Sequence, residues 1–174
     1  MREIVTEALV LKTELSGEMG KSVVFFTAEL GRLKARAVGA QKILSKFSPH
    51  LEIGSLVELR LAGNSGWTIT DVLTLRPSFL RIPGADLERI NSSLRLLDNL
   101  SLPSPDTELW TAVSSTPIEE FVPATFLKIF GYSTNHSTCF KCGTPNPKYF
   151  YFADHSFFCS AHAAEIPAEN KIRC

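Results

Sequence analysis

Turn residues cut the first third of the chain into five short apolar runs: Ile4 to Lys12, Lys21 to Thr27, Arg32 to Val38, Leu56 to Leu61 and Trp67 to Leu73. The breaks fall at 16–20, 29–31, 39–55 and 63–66, each rich in glycine or serine. Short apolar runs bounded by such turns read as strands, and strands this closely spaced close into a small barrel or sandwich. Only the gap between the third and fourth runs is long. An oligonucleotide-binding (OB) barrel has five strands and commonly a helix between its third and fourth, which is where the gap falls. The expected N-terminal unit is therefore a five-stranded OB-type barrel over residues 1–80.

Beyond residue 84 the period changes. Leu87, Ile90, Leu94 and Leu97 recur at helical spacing, with Glu88, Arg89, Arg95 and Asp98 on the opposite face. Ser104-Pro105 and Thr116-Pro117 each place a hydroxyl N-cap before a proline at the first helical position, and Glu119 completes a capping box with Thr116. The last of these helices should end at Gly131, with Pro123 kinking it or delaying its start. The fold class expected is α+β, in which residues 81–174 form a short helical section carrying a zinc-knuckle β-hairpin. The tail from Pro167 to Cys174 is polar, so it should be loose and leave Cys174 a free thiol on a frayed end.

The hairpin is framed by cysteines. Cys139-x2-Cys142, then sixteen residues, then Cys159-x2-His162 gives two tight turns with two ligands each, the spacing of a closed tetrahedral zinc site. Three thiolates and one imidazole leave no position for water, so the zinc expected here is structural. His136 and His155 are alternative fourth ligands that lack the knuckle spacing. A redox role for the Cys139/Cys142 pair fits less well, because such pairs open a helix in a βαβ unit and this one precedes a hairpin.

Charge is balanced overall, with eighteen Lys or Arg against eighteen Asp or Glu, but it is unevenly placed. Residues 1–81 carry eleven cations and eight acids, whereas residues 82–138 carry three and seven. Within the third run, Arg32, Lys34 and Arg36 alternate with Leu33, Ala35 and Ala37, which puts three cations on one face of a strand. Lys21 opens the neighbouring strand, and Lys42 and Lys46 follow in the loop. The face of strands two and three is where OB barrels hold oligonucleotides, so these six residues form the expected DNA-binding set. Phe25, Phe26, Phe47 and Trp67 are candidate stacking residues, at least half of them expected in the core.

Gly20-Lys21-Ser22 does not complete a phosphate-binding loop, because the position five residues earlier is Leu15 rather than glycine and a strand follows rather than a helix. No nucleophile, base and acid set or acidic pair stands out, so the expectation is a protein that is not an enzyme and has no small-molecule substrate. No apolar run approaches the ~18 residues of a membrane span, and MREIVTEALV carries acids where a secretion signal would be basic, so a cytoplasmic protein with no membrane association is expected.

In order, Ala8 to Lys12, Gly17-Glu18, Lys21, the Val-Phe-Phe-Thr27 strand, Glu29 to Arg32, Val38 to Ala40, Lys42, Lys46-Phe47 and Leu51 to Leu59 resemble the start of RecO proteins. Leu127 to Tyr132, Cys139-x2-Cys142-Gly143, Phe152 and Cys159 are similar to that family's closing helix and zinc segment. The resemblance implies a recombination and DNA-repair mediator acting at the bacterial nucleoid in the response to DNA damage. Such a protein binds single- and double-stranded DNA, anneals complementary strands, and works with RecR and the single-stranded-DNA-binding protein so that RecA is loaded. The chain departs from the family in its short helical section and in using His162 where zinc-bearing members typically use cysteine. With so few cations in that section, an acidic partner tail would dock there weakly, through Arg89 and Arg95. The alternative reading is a zinc-ribbon interaction module of the ribosomal or transcription accessory type. A CxxC redox enzyme is a third.

Overall fold

The computed structural model describes residues 2–16, 20–38, 46–64 and 66–174. Strands β1 (Arg2–Ser16), β2 (Gly20–Thr27), β3 (Gly31–Ala37), β4 (Leu56–Gly63) and β5 (Trp67–Arg76) close into a barrel in the order β1-β2-β3-β5-β4. All neighbours pair antiparallel except β3 and β5, which meet in parallel through Ala35↔Trp67 and Arg36↔Thr68. This is the closure of an OB barrel, reached by the five runs expected from the sequence. A single 3-10 turn, Ser48–His50, precedes β4. Lys42 lies outside the described residues.

Alternation along each strand explains what fills the barrel. Val10, Val23, Phe25, Leu33, Ala35, Leu59, Leu61 and Ile69 point inward and form one buried cluster. β1 and β2 are apolar on their outer faces too, where Leu9, Leu11, Val24 and Phe26 belong to a second cluster beneath the helices. A strand buried on both faces loses the polar alternation of a half-exposed one, and this is why the second run reads as continuously apolar.

Three helices cover that outer face: α1 (Leu87–Leu100), α2 (Thr107–Ser115) and α3 (Pro123–Ile129). Asp86 caps α1 by accepting from the Arg89 N–H, and Asp106 caps α2 by accepting from the Leu109 N–H. The expected start at Ser104-Pro105 is thus displaced by two residues, because Asp106 supplies the capping oxygen. The expected capping box at Thr116 does not form; a 3-10 turn, Ile118–Glu120, stands there, and α3 begins at Pro123, its first helical residue. Proline without an N–H is tolerated at that position, so it delays the helix rather than kinking it. Gly131 follows the end of α3 in the left-handed region (φ 88°), as the expected stop.

The last unit is a sheet in the order β7-β6-β8, made of β6 (Tyr149–Tyr151), β7 (Ser156–Phe158) and β8 (Lys171–Arg173), with the short helix α4 (Ser160–Ala163) after β7. The tail is therefore ordered, contrary to the sequence expectation. Ile172 alternates inward beside Phe150 and Phe157 and joins the cluster under the helices. Burial pushes the Cys174 thiol up to about 12, against a weaker opposing bond from the Phe150 backbone. One apolar residue in a polar tail was enough to add a strand to the hairpin.

Candidate nucleic-acid interface and metal centre

Alternation in β3 is as expected: Leu33, Ala35 and Ala37 are buried, while Lys34 and Arg36 are exposed and Arg32 is partly so. The three cations nevertheless have different surroundings. Arg32 donates from Nε and Nη2 to Asp98 Oδ1 of α1 at 2.9 and 2.7 Å, and its own N–H donates to the Leu102 carbonyl. Beside it Gly31 lies at φ 64°, and a Cβ there would stand 2.4 Å or less from the Leu102 and Ser104 carbonyl oxygens. The chain after α1 therefore rests directly on this end of β3, and Arg32 serves as a strut rather than facing solvent.

Lys34 and Arg36 line a groove of about 600 Å³ whose other walls include Glu14, Leu15 and Trp67. The groove runs over β3 between the end of β1 and the start of β5. Arg36 has no ion pair among the described residues, and Leu15 is 77% exposed. Lys34 donates to Glu14 at 3.0 Å, and Lys12 pairs with the same carboxylate at 2.7 Å. Lys21 is opposite Ala37, an inward position, and its ammonium reaches Ser48 Oγ at 3.4 Å instead of the groove. Lys46 stands 4.0 Å from Asp71 and over the Phe47 ring, also away from it. Among the aromatic candidates, Phe25 and Phe26 are fully buried, the latter against Trp110, while Trp67 is half-buried on the groove wall.

Glu14 is not legible as a groove residue in the sequence because the first apolar run ends at Lys12, whereas β1 continues through Ser16. Once the strand is extended, the two-residue period puts Glu14 on the same face as Lys12.

The second constellation is at the hairpin. Cys139, Cys142, Cys159 and His162 bring one ligand atom each within 4.8 Å of all the others. His162 Nδ1 lies 3.6 Å from Cys139 Sγ and 3.4 Å from Cys159 Sγ, and the Cys142 and Cys159 sulfurs are 3.9 Å apart. Zn–S and Zn–N bonds of about 2.3 and 2.05 Å at tetrahedral angles require separations of about 3.8 Å between sulfurs and about 3.6 Å from sulfur to nitrogen. The donor set fits a tetrahedral ion. His155, by contrast, bonds the Tyr132 hydroxyl through Nδ1 and stacks on Phe150.

The electrostatics agree with that fit. Burial opposes ionisation of Cys139, yet backbone N–H groups of Cys159, Cys142 and Lys141, with the His162 ring, bring its thiol down to about 5. The Thr144 hydroxyl and N–H lower Cys142. For Cys159, the His162 N–H favours the thiolate, but burial and the neighbouring thiols raise it.

Comparison with known proteins bears on the barrel first. Residues 1–77 match the family model described as recombination protein O N terminal. DNA repair protein RecO of a Nocardioides species is 30% identical over 156 residues, covering 79% of this chain and 64% of that protein. These matches support the RecO family. RecO of Geobacter metallireducens is 29% identical, covering 82% of this chain and 64% of that one, and RecO of an Exiguobacterium species is 26% identical, covering 90% and 69%. The chain thus spans about two thirds of the length of these curated RecO relatives. The RecO match extends past the barrel into the helical section, where Arg89 and Arg95 already have partners. Arg89 donates to the Glu119 carbonyl, and Arg95 to the Ala168 and Glu169 carbonyls at 2.8 and 2.6 Å. No helix among the described residues is long and apolar enough to cross a membrane.

Proposed function

We propose that this chain is a recombination and repair mediator that binds single- and double-stranded DNA along the β3 groove and anneals complementary strands without catalysing a reaction. The observation that carries this is the groove itself. Two outward cations of one strand, Lys34 and Arg36, line it together with Trp67, on the strand two and three face that binds oligonucleotides in an OB barrel. Cations that follow a backbone combined with an aromatic plane are what a sequence-tolerant single-strand site needs. Lys21 and Lys46 turn away from the groove and are not assigned to it, and Lys42 lies outside the described residues.

In this reading residues 1–80 are the DNA-binding domain, and residues 81–174 are a helical section whose knuckle segment, 139–162, holds a structural zinc ion through Cys139, Cys142, Cys159 and His162. Bound there, the ion would supply a rigid cross-link between the two knuckles. The residues themselves keep Phe158 and Ala163 packed on Cys139. RecR, the single-stranded-DNA-binding protein and RecA loading follow as partners and task, in the cytoplasm at the nucleoid. The test is annealing of complementary labelled oligonucleotides without ATP. Acceleration over the spontaneous rate, lost in Lys34→Ala with Arg36→Ala, supports the reading; no acceleration and no strand binding contradict it.

A further inference from the structure

On the outer face of the barrel, β2 separates Lys12 and Glu14 of β1 from Lys34 and Arg36 of β3. The registers put Val24 between Lys12 and Lys34, and Ser22 between Glu14 and Arg36. Both intervening side chains are short, so long side chains from the flanking strands meet above them. One Glu14 oxygen accepts from Lys12 at 2.7 Å and the other from Lys34 at 3.0 Å. Beyond this pair the face continues with Arg36 on one side and the Arg32–Asp98 bridge on the other. The strip thus holds four cations, Lys12, Arg32, Lys34 and Arg36, and two acids of the protein's own, Glu14 and Asp98.

The two acids are not equivalent. Asp98 belongs to α1 and fixes the helical section to the barrel, whereas Glu14 lines the groove and pairs with Lys12 and Lys34 of the barrel itself. A carboxylate whose two oxygens each accept from an ammonium has the charge and the paired acceptors of a phosphodiester. Bonds from Lys12 first, and then from Lys34, hold its carboxyl down to about 2, so it is ionised wherever nucleic acid would be met.

We propose that Lys12 and Lys34 form a phosphate subsite of the groove, which Glu14 occupies until a nucleic-acid phosphate displaces its carboxylate. The inference rests on the reading of the groove as a DNA interface. Exposed ion pairs are individually weak, so a polyanion that also engages Arg36 and Trp67 displaces Glu14 readily, while a lone small anion gains little. Glu14 therefore weakens every strand alike. A protein that must bring strands together and then let them go benefits from such a competitor, because it shortens residence without adding sequence preference.

The test titrates the full chain with a labelled oligothymidylate at several salt concentrations. Glu14→Gln is expected to tighten binding about three- to tenfold, and Glu58→Gln, on the β4 face, serves as the control for loss of one negative charge elsewhere. Lys12→Ala is expected to flatten the plot of log affinity against log salt by about 0.7, one phosphate contact. Lys12→Ala should also cost more in the Glu14→Gln background, where no ion pair is lost from the free protein. Melting curves confirm that each variant is folded. If Glu14→Gln binds no tighter than Glu58→Gln, or Lys12→Ala leaves the slope unchanged while Lys34→Ala with Arg36→Ala alters it, the subsite is wrong and the DNA interface stands. If the wild-type chain does not bind the strand, both fall.

Discussion

Substituting the three cations of β3 one at a time should separate a strut from a contact. Arg32 makes two charge-assisted bonds to Asp98, with side chains 37% and 19% exposed. A hydrogen bond to a charged partner contributes about 1.5–3 kcal/mol when shielded, and an exposed ion pair well under 1. Partial exposure places this pair between them, so Arg32→Ala should destabilise the fold by about 1–2 kcal/mol. The loss should appear as a lower denaturant midpoint with the m-value unchanged. Its effect on the salt dependence of oligonucleotide binding should be near zero, because in the folded protein the guanidinium is committed to α1. Lys34→Ala and Arg36→Ala should do the opposite: at most a small loss of stability, from the exposed Lys34–Glu14 pair, and a slope flattened by about 0.7 each. The pair thus accounts for about 1.4 units where a solvent-facing row of three would account for about two. Urea melts and salt titrations of the same three preparations decide the matter. An Arg32→Ala variant of wild-type stability whose slope drops like that of Arg36→Ala would refute the division.

Further outcomes are expected away from β3. Chelation, or Cys159→Ser, should release structural zinc, a change worth an apparent ~10–16 kcal/mol in isolated zinc-finger peptides, and hydrogen exchange should then rise across 139–163 while the barrel stays protected. Phe150→Ala, at a fully buried ring against Tyr132 and Phe157, should cost about 3–5 kcal/mol in a urea melt, since it opens a cavity shared by hairpin and helices. The depressed Glu14 carboxyl gives stability that is fully present above its ordinary value of 4.5 and lost as pH falls through about 2, so the melting-temperature difference between wild type and Glu14→Gln should vanish at the acid end. Near pH 8, after metal removal, alkylation should reach the exposed Cys142 well before Cys174, whose thiol burial pushes up to about 12.

Much of this architecture was legible in the residues, for identifiable reasons. Five runs and one long gap specify an OB-type closure because turn chemistry and a two-residue period act locally. The four knuckle residues are likewise found from spacing alone, and the structure draws them together. What could not be read depended on partners distant in sequence. Asp98 lies 66 residues from Arg32, and nothing in the alternation of β3 indicates that one of its three cations is held by a helix. Lys21 looked like a groove residue until its register opposite Ala37 gave it the inward parity. The third strand of the hairpin turns on Ile172, a single apolar residue that becomes informative only once the Phe150–Phe157 face is in place.

The central claim is that the β3 groove is the DNA surface, and the most direct measurement is the salt dependence of single-strand affinity for wild type and the Lys34→Ala, Arg36→Ala double variant. With Lys12, Lys34 and Arg36 each meeting a phosphate, log affinity should fall with log salt at a slope of about −2 in the wild type and about −0.7 in the variant, on every sequence tested. Equal slopes for the two proteins would remove the groove from the binding site.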